Sequence, residues 1–138
     1  MSDWCSGPQF QHNDRVVSLV YHHPPEIVPG TKGTIVMPRI GSLYAVQLPD
    51  GELHQWFSGS ELEPVDSQFN QYGLLEPGSM AKIITQEGHP PHITPGMQVR
   101  IVRVLDHVPF YDLMIDGHGY HRWLADFEMA SMDTVSQY

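Results

Sequence analysis

The strongest constraint on this chain is that it says much of itself twice. His23-Pro24-Pro25-Glu26-Ile27-Val28-Pro29-Gly30 returns as His89-Pro90-Pro91-His92-Ile93-Thr94-Pro95-Gly96, an offset of 66 residues. The likeness continues in order. Thr34-Ile35-Val36 matches Arg100-Ile101-Val102, Tyr44 matches Tyr111, and Asp50-Gly51 matches Asp116-Gly117. His54-Gln55-Trp56-Phe57 then matches His121-Arg122-Trp123-Leu124, and Glu61-Leu62 matches Glu128-Met129. An ordered series of this length reads as duplication of a unit of about 60 residues. In a chain of 138 residues that leaves room for two small units and a connector.

Each unit reads as five short strands. In the first these are Arg15–Tyr21, Thr31–Met37, Ser42–Leu48, Glu52–Phe57 and Glu61–Val65. In the second they are Met80–Gln86, Met97–Leu105, Phe110–Ile115, Gly119–Leu124 and Phe127–Ala130. The Asp-Gly pairs between apolar runs signal hairpins, because two-residue primed turns require positive φ. Gly and Pro number 12 each, a density that suits strands joined by turns and breaks long helices.

The run Asp14-Arg15-Val16-Val17, Pro29-Gly30-Thr31-Lys32-Gly33-Thr34-Ile35-Val36, Tyr44-Ala45-Val46 and Asp50-Gly51 resembles the SH3-like and KOW-like β-barrel modules. The closest likeness is to small uncharacterised domains of this kind in bacterial and phage proteins. It covers residues 10–65 and extends, more thinly, over 78–130. The second copy departs from the pattern where Val99 stands for Gly33 and Ala81-Lys82 for Asp14-Arg15. The resemblance implies an all-β chain of two tandem SH3-like five-stranded barrels packed together: barrel 1 over 10–65, a linker over 66–77 and barrel 2 over 78–131. It implies no activity, because such barrels host many unrelated roles.

Composition narrows the function. With 7 Lys+Arg against 16 Asp+Glu the formal charge is -9. Residues 1–66 carry eight acids against three bases, and residues 67–138 eight against four. Neither half hides a basic module, and nucleic-acid binding, which draws on cationic surplus, is not expected. Cys5 is the only cysteine, so an intrachain disulfide and a cysteine-built zinc or iron–sulfur centre are excluded. No run approaches the roughly 20 apolar residues of a membrane span, and the start lacks a basic segment followed by an apolar one. A cytoplasmic protein that does not engage membranes is the expectation.

Three groups of residues are candidates for function. The loops His23-Pro24-Pro25 and His89-Pro90-Pro91 are stiffened by proline toward an extended path and would meet a partner at low ordering cost. The same stiffening also serves a purely structural connection. Tyr21, Tyr44, Trp56 and Phe57 in the first copy, and Tyr111, Tyr120 and Trp123 in the second, would form shallow aromatic sites for proline-rich peptides, cationic side chains or planar bases. At equivalent late-strand positions the two Trp residues fit a core equally well. His89, His92, His118 and His121 pair at a spacing of three, and imidazole suits several metals. That spacing matches no specific metal motif, and residues three apart on a strand face opposite ways.

No serine nucleophile elbow, phosphate-binding loop or zinc-protease helix occurs. The expected function is therefore a non-enzymatic module, without cofactor, metal or catalytic residues, that binds another protein or peptide as an adaptor or accessory subunit. Its site would be drawn from His23, Pro24, Pro25, Tyr44, Trp56, His89, Pro90, Pro91, Tyr111 and Trp123. The alternatives are a small-molecule-binding or sequestering protein using an inter-barrel cleft, and a metal-dependent enzyme using the clustered histidines.

Overall fold

The computed structural model describes residues 7–22, 27–65 and 75–132. The chain is all-β, as expected. Its strands are β1 (Arg15–Ser18), β2 (Lys32–Gln47), β3 (Leu53–Ser58), β4 (Leu62–Pro64), β5 (Met80–Ile83), β6 (Gln98–Ile115), β7 (Gly119–Ala125) and β8 (Met129–Ser131). Single 3-10 turns, Gly59–Glu61 and Asp126–Glu128, lead into β4 and β8. The named pairings are antiparallel.

Two strands are longer than the sequence predicts. Thr31–Met37 and Ser42–Leu48 read as separate strands, but β2 passes through Pro38 and Gly41 without turning. Likewise β6 runs from Gln98 to Ile115 through Pro109, joining segments expected to be separate. His107, inside β6, takes a left-handed φ of 57°. Proline interrupts a ladder only where its missing N–H was needed, so it marks a turn less reliably than a loop-rich sequence implies.

The consequence is a different division of the chain. The two compact units are Met1–Ile40 with Val108–Tyr138, and Gly41–His107. They do not coincide with the expected 10–65 and 78–131. The expected linker lies largely outside the described residues.

Unit one contains β1, the first part of β2, the last part of β6, β7 and β8. In it β1 pairs with β2 (Arg15↔Thr34 to Val17↔Lys32) and with β8 (Val17↔Ala130). The β6–β7 hairpin runs from Phe110↔Ala125 to Ile115↔Gly119. Side chains alternate about these strands, so one face of each enters a core. Phe10, Val16, Ile27, Ile35, Tyr111, Leu113, Ile115, Leu124 and Met129 form it.

Unit two contains the last part of β2, β3, β4, β5 and the first part of β6. In it β2 pairs with β3 (Leu43↔Ser58 to Gln47↔Leu53). β5 pairs with β4 (Glu63↔Lys82) and with β6 (Met80↔Arg100). Its core joins Tyr44, Val46, Leu48, Phe57, Leu62, Ile83, Ile93, Val99 and Ile101. The hairpin between β2 and β3 turns on Gly51 at φ +94°, the left-handed conformation that the Asp-Gly signal anticipates. Both hairpins shift register at equivalent places, after Tyr44 and after Tyr111.

Candidate functional site

Each unit holds a buried strut of the same kind. In unit one His22 Nε2 lies 2.9 Å from Glu128 Oε2, with both side chains about 95% buried. In unit two His89 Nε2 lies 3.0 Å from Glu61 Oε2, and both side chains are again buried. The second carboxylate oxygens accept the N–H of Ala125 at 2.8 Å and of Ser58 at 3.0 Å. Buried polar groups are costly when unpaired, and here one acid pairs with a ring nitrogen and a strand end together. Phe57 stacks on His89 at 4.1 Å, and His54 sits edge-on to it at 5.7 Å. Both dyads are closed to solvent and tie the chain from within.

The repeat pointed to His23 as the counterpart of His89. The histidine on Glu128 is instead its neighbour His22. The matched Glu61 and Glu128 were the available signal for the struts.

In unit one the strut holds an exposed apolar rim. Leu19 N donates to Glu128 O at 2.8 Å, and His22 reaches the same residue with its ring. The Leu19–His22 segment is thus tied at both ends beside Phe127-Glu128. Leu19, Tyr21 and Phe127 are 52%, 57% and 57% exposed. Large apolar side chains exposed on neighbouring stretches of backbone are candidates for a contact surface. The corresponding segment of unit two uses the same tie, Ile84 N to Glu61 O at 2.9 Å. There Ser60 stands where unit one has Phe127.

Apart from His89, which forms a strut, most of the described residues singled out by sequence are core residues. His23, Pro24 and Pro25 lie outside the described residues. Pro90 is buried and Pro91 exposed. Tyr44 and Tyr111 are core residues, their hydroxyls accepting Leu75 N and Phe10 N, each at 3.2 Å. The Tyr111 hydroxyl donates to Asp126, and burial, reinforced by that acid, raises its pKa. Trp56 and Trp123 are 1% and 3% exposed. Phe110 packs edge-on to Trp123, the guanidiniums of Arg39 and Arg122 lie 5.1 and 5.0 Å from that ring, and Arg103 lies 5.9 Å from Trp56. With so little of either ring in solvent, the Trp pair takes the core alternative. Of the described members of the expected site only Pro91 is exposed.

The histidines part in the same way. His121 is buried on β7, whereas His118 is exposed in the turn that precedes it. His92 is exposed and engages Glu52 at 2.8 Å. Among the described residues no three His, Cys, Asp or Glu side chains are grouped to hold a metal, and no helix is long and apolar enough to cross a membrane.

No protein-family model matches the chain, and no curated protein matches it. Solved structures do. A crystal structure of a DUF1541 family protein (ydhK) from Bacillus subtilis subsp. subtilis str. 168 superposes with a TM-score of 0.63 at 17% identity, covering 90% of this chain and 85% of that one. A second crystal structure of the ydhK protein from Bacillus subtilis gives 0.59 at 14% identity, over 88% of this chain and 100% of that one. The solution NMR structure of the ydhK C-terminal domain from the same organism gives 0.61 at 16% identity, over 88% and 93%. At these identities the likeness establishes a shared fold, seen in bacterial proteins, and nothing about activity.

Proposed function

We propose that this chain is a non-enzymatic docking module, an adaptor or accessory subunit, that receives another protein on the Leu19–Tyr21–Phe127 rim. In this reading a duplicated unit forms two SH3-like barrels, each completed by strands from both copies. The long β2 and β6 replace the hairpins that would otherwise close each barrel on its own copy. The rim carries the reading: two aromatic rings and an aliphatic chain stand more than half exposed on backbone that the buried His22–Glu128 hydrogen bond ties together. A preformed apolar patch binds with little ordering cost, and aromatic residues supply most of the energy at protein interfaces. The charge of -9 favours a partner segment that sets Lys or Arg beside its apolar anchors, since complementary potentials speed and orient association.

Selection of random displayed peptides on the immobilised full chain tests this. Recovered peptides are expected to combine an apolar anchor with basic residues. They should bind Phe127→Ser, which installs the residue of the second unit, about tenfold more weakly. Ile84→Ser should leave binding unchanged. Failure to enrich any peptide, or peptides that bind Phe127→Ser as tightly as the parent, would remove the proposal.

A further inference from the structure

Unit two carries a cleft of about 420 Å³, within the size range of small-molecule sites. Leu48, Pro49 and Met80 contribute apolar lining, and Gln47, Gln98 and Arg100 contribute polar lining. Arg100 is exposed on β6 and pairs across the sheet with Met80. Its guanidinium donates to Gly78 O at 3.2 Å. Among the described residues it makes no ion pair.

The corresponding place in unit one is occupied. The β1–β2 pair Arg15↔Thr34 corresponds by register to the β5–β6 pair Met80↔Arg100. Met80, not Lys82 as the sequence repeat aligned it, therefore stands for Arg15, and the cation of unit two comes from the facing strand. There Arg15 forks onto Asp116 at 2.9 and 2.7 Å and also donates to Thr34 Oγ1 at 2.9 Å. That contact raises the Arg15 pKa and holds the Asp116 carboxyl below its ordinary range. The position of Asp116 in unit two is fixed by the turn. His118 N donates to Ile115 O at 3.0 Å in one hairpin, and Gly51 N donates to Leu48 O at 2.9 Å in the other. Asp116 follows Ile115, and Pro49 follows Leu48, so the structural counterpart of Asp116 is Pro49 and not Asp50, with which the sequence repeat aligned it. One copy therefore supplies a cation with its carboxylate, and the other a cation with proline where the carboxylate would stand.

We propose that the cleft of unit two binds a small organic monocarboxylate, whose carboxylate takes on Arg100 the place that Asp116 takes on Arg15. Guanidinium and carboxylate match as a two-bond fork. Leu48, Pro49 and Met80 receive the ligand's apolar part, and the amides of Gln47 and Gln98 offer further hydrogen bonds. A single negative charge is selected twice over. The cleft is lined by one cation, and the surplus of acids over the whole chain repels polyanions. This inference is independent of protein docking on the rim.

The test uses the full chain labelled with 15N, titrated with hexanoate, hexanamide and inorganic phosphate. Hexanoate is expected to shift the side-chain amides of Gln47 and Gln98 and the Arg100 Nε–H in a saturable way. Hexanamide lacks the charge and phosphate lacks the apolar part, so each should bind at least about tenfold more weakly. Arg100→Gln should abolish the hexanoate shifts. Pro49→Asp should do the same by supplying the carboxylate from the chain itself, while backbone amide positions remote from the cleft stay unchanged. Equal binding of hexanamide or phosphate, absence of saturable shifts at Gln47 and Gln98, or undiminished binding by a folded Pro49→Asp variant would overturn the proposal.

Discussion

Cutting the buried strut of unit one has a computable cost. His22 and Glu128 meet at 2.9 Å with side chains only 4% and 5% exposed. Glu128→Ala strips an acceptor from the His22 ring and another from Ala125 N–H, two buried groups at about 1–3 kcal/mol each. The expected loss is about 3–5 kcal/mol, the usual result of breaking a buried pair from one side. His22→Ala should cost a similar amount, because Glu128 keeps Ala125 N but loses its other partner. The double variant should then be less damaged than the sum, with a coupling of about 1–3 kcal/mol. The same cycle on His89 and Glu61, 3.0 Å apart, should give a coupling of similar size. The cross pairs His22 with Glu61, and His89 with Glu128, should add within about 0.5 kcal/mol. Urea unfolding followed by circular dichroism supplies each free energy, with an unchanged m-value as the control for compactness. Sequence order makes the cycle decisive for the proposed exchange, because His22 and Glu61 fall in the same half of the repeat that the proposal assumes. Coupling of His22 with Glu61, and additivity of His22 with Glu128, would refute the exchange of halves between copies.

Two further outcomes follow from single sites. A Cβ added at Gly33 would lie 2.9 Å from Met114 O and 3.1 Å from Leu113 Cδ1. Because the nearer atom is backbone, Gly33→Ala should lose about 1–3 kcal/mol, read as a Tm several degrees lower in a thermal scan. The Tyr111 pKa is raised by burial and by Asp126, so the folded state holds its proton after the unfolded chain has released it. Stability is therefore complete below about pH 10 and falls as pH rises beyond it, by about 1.4 kcal/mol per unit for that one group. Tyr111→Phe should flatten this alkaline loss in urea titrations at successive pH values, and an unchanged slope would contradict it.

Much of the fold was legible because it is local. Asp50-Gly51 and Asp116-Gly117 announce hairpins by the φ they permit, and apolar alternation marks the strands. The path between strands was not legible. A strand that folds back within its own copy and one that continues into the other unit bury the same alternating side chains. Pro38, Gly41 and Pro109 read as turn punctuation, yet β2 and β6 extend through them. The site was less legible than the fold. Trp56 and Trp123 look alike as core or as surface until burial is known, and they are core. Glu61 and Glu128 were visible only as matched letters, since partners such as His22 and Glu128, 106 residues apart, meet only through the tertiary path. The rim of Leu19, Tyr21 and Phe127 arises from that same meeting. The Arg100 cleft emerges only when Pro49 and Asp116 are compared at one structural position.

The exchange of halves is tested most directly by the partner of β1. Its register sets Val17 opposite Ala130 of β8, and the position corresponding to Ala130 in the first copy is Glu63. Nuclear Overhauser contacts from Val17 in the full chain decide between them. Cross-strand contacts from Val17 to Ala130 are the predicted result, and contacts from Val17 to Glu63 in their place would contradict the account.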